Sequence, residues 1–200
     1  MIYETDTDKV LVYNGTAWVI PNSPAQNPQG LELVTTATCS SGGTASGGVV
    51  TIGTTVSSVT VSSAFSATYD NYKIIVNGGL GSTDDFLKLT LGSTATGYYF
   101  AQIFRSYAGS TSGDQLANGA YWNGGVAKPN GISLSMDIFN PFLTARSTFS
   151  HSYGAAITSG EVAIQGGFLD NATSYTAFTL TPSAGTITGG TIRVYGYRNS

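Results

Sequence analysis

No stretch of ten residues or more in this chain repeats its apolar residues at the 3.6-residue spacing of a helix. Apolar residues instead alternate over short runs, each closed by Gly, Ser, Asn or Asp. In "GISLSMDIF", Leu134, Met136 and Ile138 fall on one face, and in "TIRVYGYR" Ile192 and Val194 do the same. Period-2 alternation bounded by turn residues is the signature of half-buried strands. Further runs of this kind are "VVTI", "VSSVTV", "NYKIIVN", "FLKLTL", "YYFAQIF", "RSTFSHS", "EVAIQGGF" and "YTAFTL". "LELVTT" opens the series and leads into "CSSGGTASGG", which reads as a flexible connection. Many short strands in one chain are expected to close into an antiparallel β-sandwich, with a jelly-roll-like arrangement favoured. The fold class is therefore all-β.

The N-terminal stretch stands apart. Lys9–Tyr13 and Thr16–Ile20 are β-rich runs separated by Asn14-Gly15, a strong hairpin turn signal. Both faces of that hairpin are apolar, whereas a lone hairpin is marginal in water. Residues 21–30 then hold three of the six prolines and read as a linker. Three segments are expected: a hairpin anchor over 1–20, a Pro-rich linker over 21–30 and a sandwich over 31–200. If three copies meet, Val10, Val12, Tyr13, Trp18 and Ile20 can be covered by neighbouring protein. Each large side chain so buried contributes about 1.5–3 kcal/mol. The alternative is that the hairpin folds back on its own sandwich.

Charge and motif content narrow the chemistry. Charged residues make up 10% of the 200 residues, so Ser, Thr, Gly and Asn carry the polarity. The eight Lys and Arg are dispersed and the net charge is −3, which gives no electrostatic footprint for nucleic acid. No apolar run approaches the ~18 residues of a membrane-spanning helix, and "MIYETDTDK" lacks the pattern of a signal peptide. Cys39 is the single cysteine and reads as a small buried or loop thiol. Catalysis is not expected. His151 is the one histidine, and no nucleophile elbow, zinc-binding HExxH or P-loop occurs. Glu32, Asp137, Glu161 and Asp170 lie on separate elements, with nothing to pair them for glycoside hydrolysis. Asp84-Asp85 sits in a turn where solvated carboxylates are commoner than a calcium site. No cofactor or metal is implied.

The longest stretch without a clear strand is "RSYAGSTSGDQLANGAYWNGGVAKPN". Long loops are commonly functional. Tyr107 and Tyr121 offer rings for stacking on sugars, with Gln115, Asn118 and Asn123 as hydrogen-bonding partners. Trp122 fits a trimer interface, or a strand packed in the core.

The segment "YETDTDKVLVYNGTAWV" resembles one recurring in structural proteins of tailed bacteriophages, including cyanophages. "SGGTASGGVVTI", "SSAFSATYDNYKIIV", "TATGYY", "MDIFNPF" and the closing "GTITGGTIRVYGYRNS" are similar to the small β-rich domain such proteins carry. The resemblance implies a homotrimeric virion protein, built in the host cytoplasm and exposed on the particle. Two roles follow. One is a tail fibre or tip protein that attaches to the host surface, with polysaccharide as the expected receptor. The other is a capsid decoration protein that cements the head. Such proteins often carry further sequence before this segment, so attachment to other virion proteins is expected through the hairpin or another face. Neither nucleic-acid binding nor membrane insertion is implied.

Overall fold

The computed structural model describes residues 2–4, 9–13, 15–19, 30–155 and 161–198. Among these, every regular element is a β-strand, and all the pairings are antiparallel. The chain divides into two compact units, Met1–Gly30 and Leu31–Ser200.

The first unit is a three-stranded sheet, not a simple hairpin. β1 (Ile2–Glu4) pairs with β2 (Lys9–Tyr13), which pairs with β3 (Trp18–Val19). The turn also differs from the expectation. A two-residue Asn-Gly turn would set Tyr13 opposite Thr16, but the register pairs Tyr13 with Trp18 and Val12 with Val19. Thr16 and Ala17 therefore belong to the connection between β2 and β3 rather than to the strand. A cross-strand aromatic contact favours this register, with the Tyr13 and Trp18 rings tilted against each other at 5.5 Å. Trp18 is thus grouped with Tyr13 and not with Val12. Ile20 and residues 21–29 lie outside the described residues.

The second unit begins with β4 (Leu31–Leu33), β5 (Thr38–Ser41), β6 (Gly43–Ser46), β7 (Val49–Ile52) and β8 (Val59–Ser62). It continues with β9 (Asn71–Asn77), β10 (Leu80–Gly81), β11 (Asp85–Leu91), β12 (Tyr98–Ser106), β13 (Thr111–Gly119) and β14 (Trp122–Lys128). The remainder is β15 (Gly131–Phe139), β16 (Thr148–Ala155), β17 (Glu161–Leu169), β18 (Phe178–Pro182), β19 (Ile187–Thr188) and β20 (Thr191–Tyr197). The segment expected to be a flexible connection supplies β5 and β6, and the expected long loop supplies β13 and β14.

Most of these strands form two layers. The first runs β13-β12-β17-β16-β15-β9-β20, with β4 and β7 side by side on the far edge of β20 and β6 beyond β7. The second runs β14-β11-β18-β8-β5. β15 belongs to both, because its first residues pair with β14 and its last ones with β16 on the same edge. A small ribbon of β10 and β19 completes the set.

The inner faces of the layers form one core. Tyr72, Ile74 and Val76 of β9 and Leu134, Met136 and Ile138 of β15 point into it, as do Leu87, Leu89 and Leu91 of β11. Trp122 of β14 crosses from the second layer to the first. Its ring meets Tyr98 edge-on at 5.3 Å and Phe149 at 4.7 Å. A bulge in β14 between Asn123 and Val126 makes this possible, with Gly125 at a φ of 136° that a side chain would resist.

Tyr98 is buried, and its hydroxyl accepts from the Leu91 N–H at 2.8 Å and donates to the Thr94 carbonyl at 3.2 Å. Burial pushes its pKa up to about 12 from the ordinary 10. A phenol whose pKa is raised by folding stabilises the fold below pH 10 and loses that contribution as pH climbs toward 12. The thermal midpoint is expected to fall across that window. In Tyr98→Phe the fall should be smaller; an unchanged pH profile would mean that Tyr98 does not titrate with unfolding. Tyr197 contributes with the same sign, raised to about 12 by burial and then by Asp137.

Candidate functional site

β12 and β17 pair over nine residues, from Tyr98 opposite Leu169 to Ser106 opposite Glu161. Strand alternation sends Tyr98, Phe100 and Gln102 inward and leaves Tyr99, Ala101, Ile103 and Arg105 on the outer face. Their cross-strand partners there are Phe168, Gly166, Ile164 and Val162. The result is a row of four pairs along the outside of the first layer.

Each pair has its own character. Tyr99 and Phe168 stack with centroids 4.8 Å apart and planes 11° from parallel. The Arg146 guanidinium lies over the other side of Phe168 at 4.7 Å, and it is ion-paired with Asp170. Ala101 and Gly166 come next, and because both are small they leave a hollow of about 420 Å³. Tyr99, Phe168, Gln115 and Ala117 stand around it. Beyond the hollow Ile103 and Ile164 lie side by side, 64% and 71% exposed. Arg105 and the half-exposed Val162 close the row.

The outer face of the second layer is different. Thr60 and Thr179 share a hydrogen bond at 3.0 Å across β8 and β18, and Ser62 donates to Ser40 at 2.8 Å. Hydroxyls line the side of the sandwich that meets water there. The β12–β17 row offers aromatic rings and aliphatic branches instead. An apolar patch of that kind marks a surface for contact rather than for solvent.

The residues singled out from sequence divide sharply. Tyr107 sits in the tight turn between β12 and β13, 72% exposed. Gln115, also exposed, stands on β13 opposite Ala101, at the rim of the hollow. Asn118 adopts a φ of 53° at the bulge near the end of β13 and accepts a hydrogen bond from the Gly97 N–H at 3.1 Å, so it ties that bulge to the chain entering β12. Tyr121 is half-buried beneath the Lys88 ammonium at 4.6 Å. Asn123 does not reach a surface. It is 2% exposed, donates to Gln102 Oε1 at 3.1 Å and takes the Gly125 N–H at 3.2 Å. Gln165 Nε2 also donates to the Asn123 carbonyl at 2.8 Å. A buried amide needs such partners, and its burial keeps it from a ligand at the surface. Trp122 likewise belongs to the core, with its indole N–H donated to the Phe168 carbonyl at 3.2 Å.

In the N-terminal unit Val12 is half-buried, and Tyr13 and Trp18 are both exposed. Val10 lies on β2, paired with Tyr3.

Four acidic residues are each paired with a different cation, Asp170 with Arg146 among them. Glu32 pairs with Arg198 at 2.8 Å, Asp137 with Lys73 at 3.1 Å and Asp84 with Lys128 at 2.7 Å. Tyr197 donates a further hydrogen bond to Asp137. Among the described residues no group of three or more His, Cys, Asp or Glu is placed to hold a metal ion. What the β12–β17 row can do chemically is stack and exclude water, with the Gln115 amide as a polar handle.

Sequence reasoning passed over Tyr99, Phe168, Ile103 and Ile164. A signal was present, since "YYFAQIF" and "EVAIQGGF" put apolar residues on both faces of their strands. No protein-family model matches the chain, and no curated protein matches it either.

Proposed function

We propose that this chain is a non-enzymatic surface protein of a bacteriophage virion, acting as a homotrimer at the tail fibre or tip to attach the particle to its host. The observation that carries the reading is the β12–β13 hairpin. It ends on an exposed tyrosine and flanks a hollow walled by Tyr99 and Phe168 with Gln115 at the rim. Rings beside an amide suit the alternating apolar and hydroxylated faces of a sugar, so surface polysaccharide is the proposed receptor. The resemblance of the N-terminal segment to tailed-phage structural proteins supplies the virion.

A head decoration role is the second reading, favoured by the separate N-terminal unit with its outward Tyr13 and Trp18. Electron microscopy of particles labelled with antibody to the sandwich distinguishes the two, through label at the tail tip or over the capsid. Unlabelled particles would remove the virion reading itself. Tyr107→Ala should lower host adsorption while leaving stability within about 0.5 kcal/mol, as exposed positions do. Unchanged adsorption would place the receptor contact elsewhere.

A further inference from the structure

We infer that the receptor polysaccharide lies across the strands of the first layer, in a trough floored by Ala101 and Gly166, and that it is an uncharged chain. The inference rests on the receptor reading above and fixes the path and the charge of the ligand within it. Ala101 and Gly166 are cross-strand partners, and both are small. Two residues to one side stand Tyr99 and Phe168; two residues to the other stand Ile103 and Ile164. Strand alternation keeps all six positions on the outer face. The isoleucines, 64% and 71% exposed, therefore rise from the floor as a second wall.

The walls set the direction. Tyr99 and Ile103 are four residues apart, about 13 Å along the strand. Once the ring and the branched chain take their thickness from that span, a slot the width of a pyranose is left. A sugar chain running along the strands would have to climb over both walls. Across the strands the register continues the floor, from Gln115 on β13 through Ala101 and Gly166 to Ser150 on β16 and Asp137 on β15. Four strand spacings make that row roughly 19 Å long, more than one sugar covers, so it suits an internal stretch of chain. Polar groups stand at its two ends. The Gln115 amide both donates and accepts, and Asp137 is a part-exposed carboxylate, so sugar hydroxyls have partners at either end.

Charge excludes the acidic alternative. Among the described residues no charged side chain lines the hollow. The cations that flank it are already paired, Lys73 with Asp137 at 3.1 Å and Arg146 with Asp170. Arg105 lies behind the isoleucine wall and donates to the Thr111 hydroxyl at 2.7 Å. An anionic chain would meet the Asp137 carboxylate with no unpaired cation in the trough to offset it.

The test is binding of the full chain to polysaccharide stripped from host cells and separated by anion exchange into neutral and acidic fractions. Wild type should bind the neutral fraction. Ala101→Leu raises the floor between the walls, and Ser150→Leu blocks the row at β16. Each should weaken binding by about tenfold or more, as extra methylenes in a filled pocket do. Ser40→Leu adds the same bulk to the hydroxyl-lined face of the other layer and should bind as wild type. Ala101 is exposed, so its variant should keep the wild-type thermal midpoint. If either leucine variant of the trough does not fold, Ile103→Ala/Ile164→Ala replaces it, lowering the second wall with the same expected loss. Wild-type binding by the trough variants, or an equal loss in Ser40→Leu, would overturn the crosswise path. Binding confined to the acidic fraction would overturn the uncharged ligand. The receptor reading survives each of these results. Binding to neither fraction would overturn the inference; the attachment role would then stand or fall on whether Tyr107→Ala lowers host adsorption.

Discussion

Replacing Trp122 with alanine is expected to cost about 3–5 kcal/mol, the range for removing a large buried aromatic. A domain of this size holds only about 5–15 kcal/mol in all, so the variant should unfold at a much lower urea concentration. The reason is position as much as size. The indole is fully buried, touches Tyr98 and Phe149 on the opposite layer and donates its N–H to Phe168. Truncation removes the ring and leaves that carbonyl without its partner. It also undercuts Phe168, whose outer face forms one wall of the hollow. A urea midpoint close to wild type would mean that the ring does not fill the core.

Gly167→Ala is expected to be nearly as damaging, for the opposite reason. A Cβ at this position would stand 2.0 Å from the Tyr99 carbonyl oxygen and 2.7 Å from a Phe149 ring carbon. The nearest of these is backbone in the neighbouring strand, so it cannot swing away. β12 and β17 must separate or slip, and overpacking of this kind costs about 1–3 kcal/mol or more. The shift falls between Tyr99 and Phe168 themselves. Urea unfolding should show the lost stability, and near-ultraviolet circular dichroism should show the disturbed stacking. A variant with wild-type stability and spectrum would show that the two strands lie further apart than described.

Strands buried on one face could be read from sequence because alternation there is strict. "NYKIIVN" delivers Tyr72, Ile74 and Val76 to the core, and "GISLSMDIF" delivers Leu134, Met136 and Ile138. β14 was missed because it is buried on both faces. "WNGGVAK" has no alternation to detect, and its two glycines imitate a loop. β13, with Leu116 as its one large aliphatic residue, looked like solvent-exposed chain; its pairing with β12 is what makes it a strand. β5 and β6 were missed for the same reason, being small and polar at the margin of a sheet.

The candidate site was less legible than the fold. Tyr107 and Gln115 were reachable from the length of the supposed loop and its aromatic content. Tyr99 and Phe168 are nearly seventy residues apart, and only the register of β12 against β17 brings them together. Asn123 misled because an asparagine among glycines has the composition of a surface. The bulge at Gly125 turns it inward to Gln102 and Gln165 instead.

The sharing of β15 between the two layers has a mechanical consequence. Two sheets held together by side chains alone can shear past each other, since dispersion contacts have little directional stiffness. Here β14 and β16 are stitched to successive lengths of one strand, and β9 holds that strand along its other edge. A pull on the β12–β13 hairpin passes through β17 and β16 into β15, and from there through backbone hydrogen bonds into both layers. Sliding one layer over the other then requires tearing a ladder as well as parting a core. The β12–β13 hairpin is thereby tied by a continuous load path to the layer behind it.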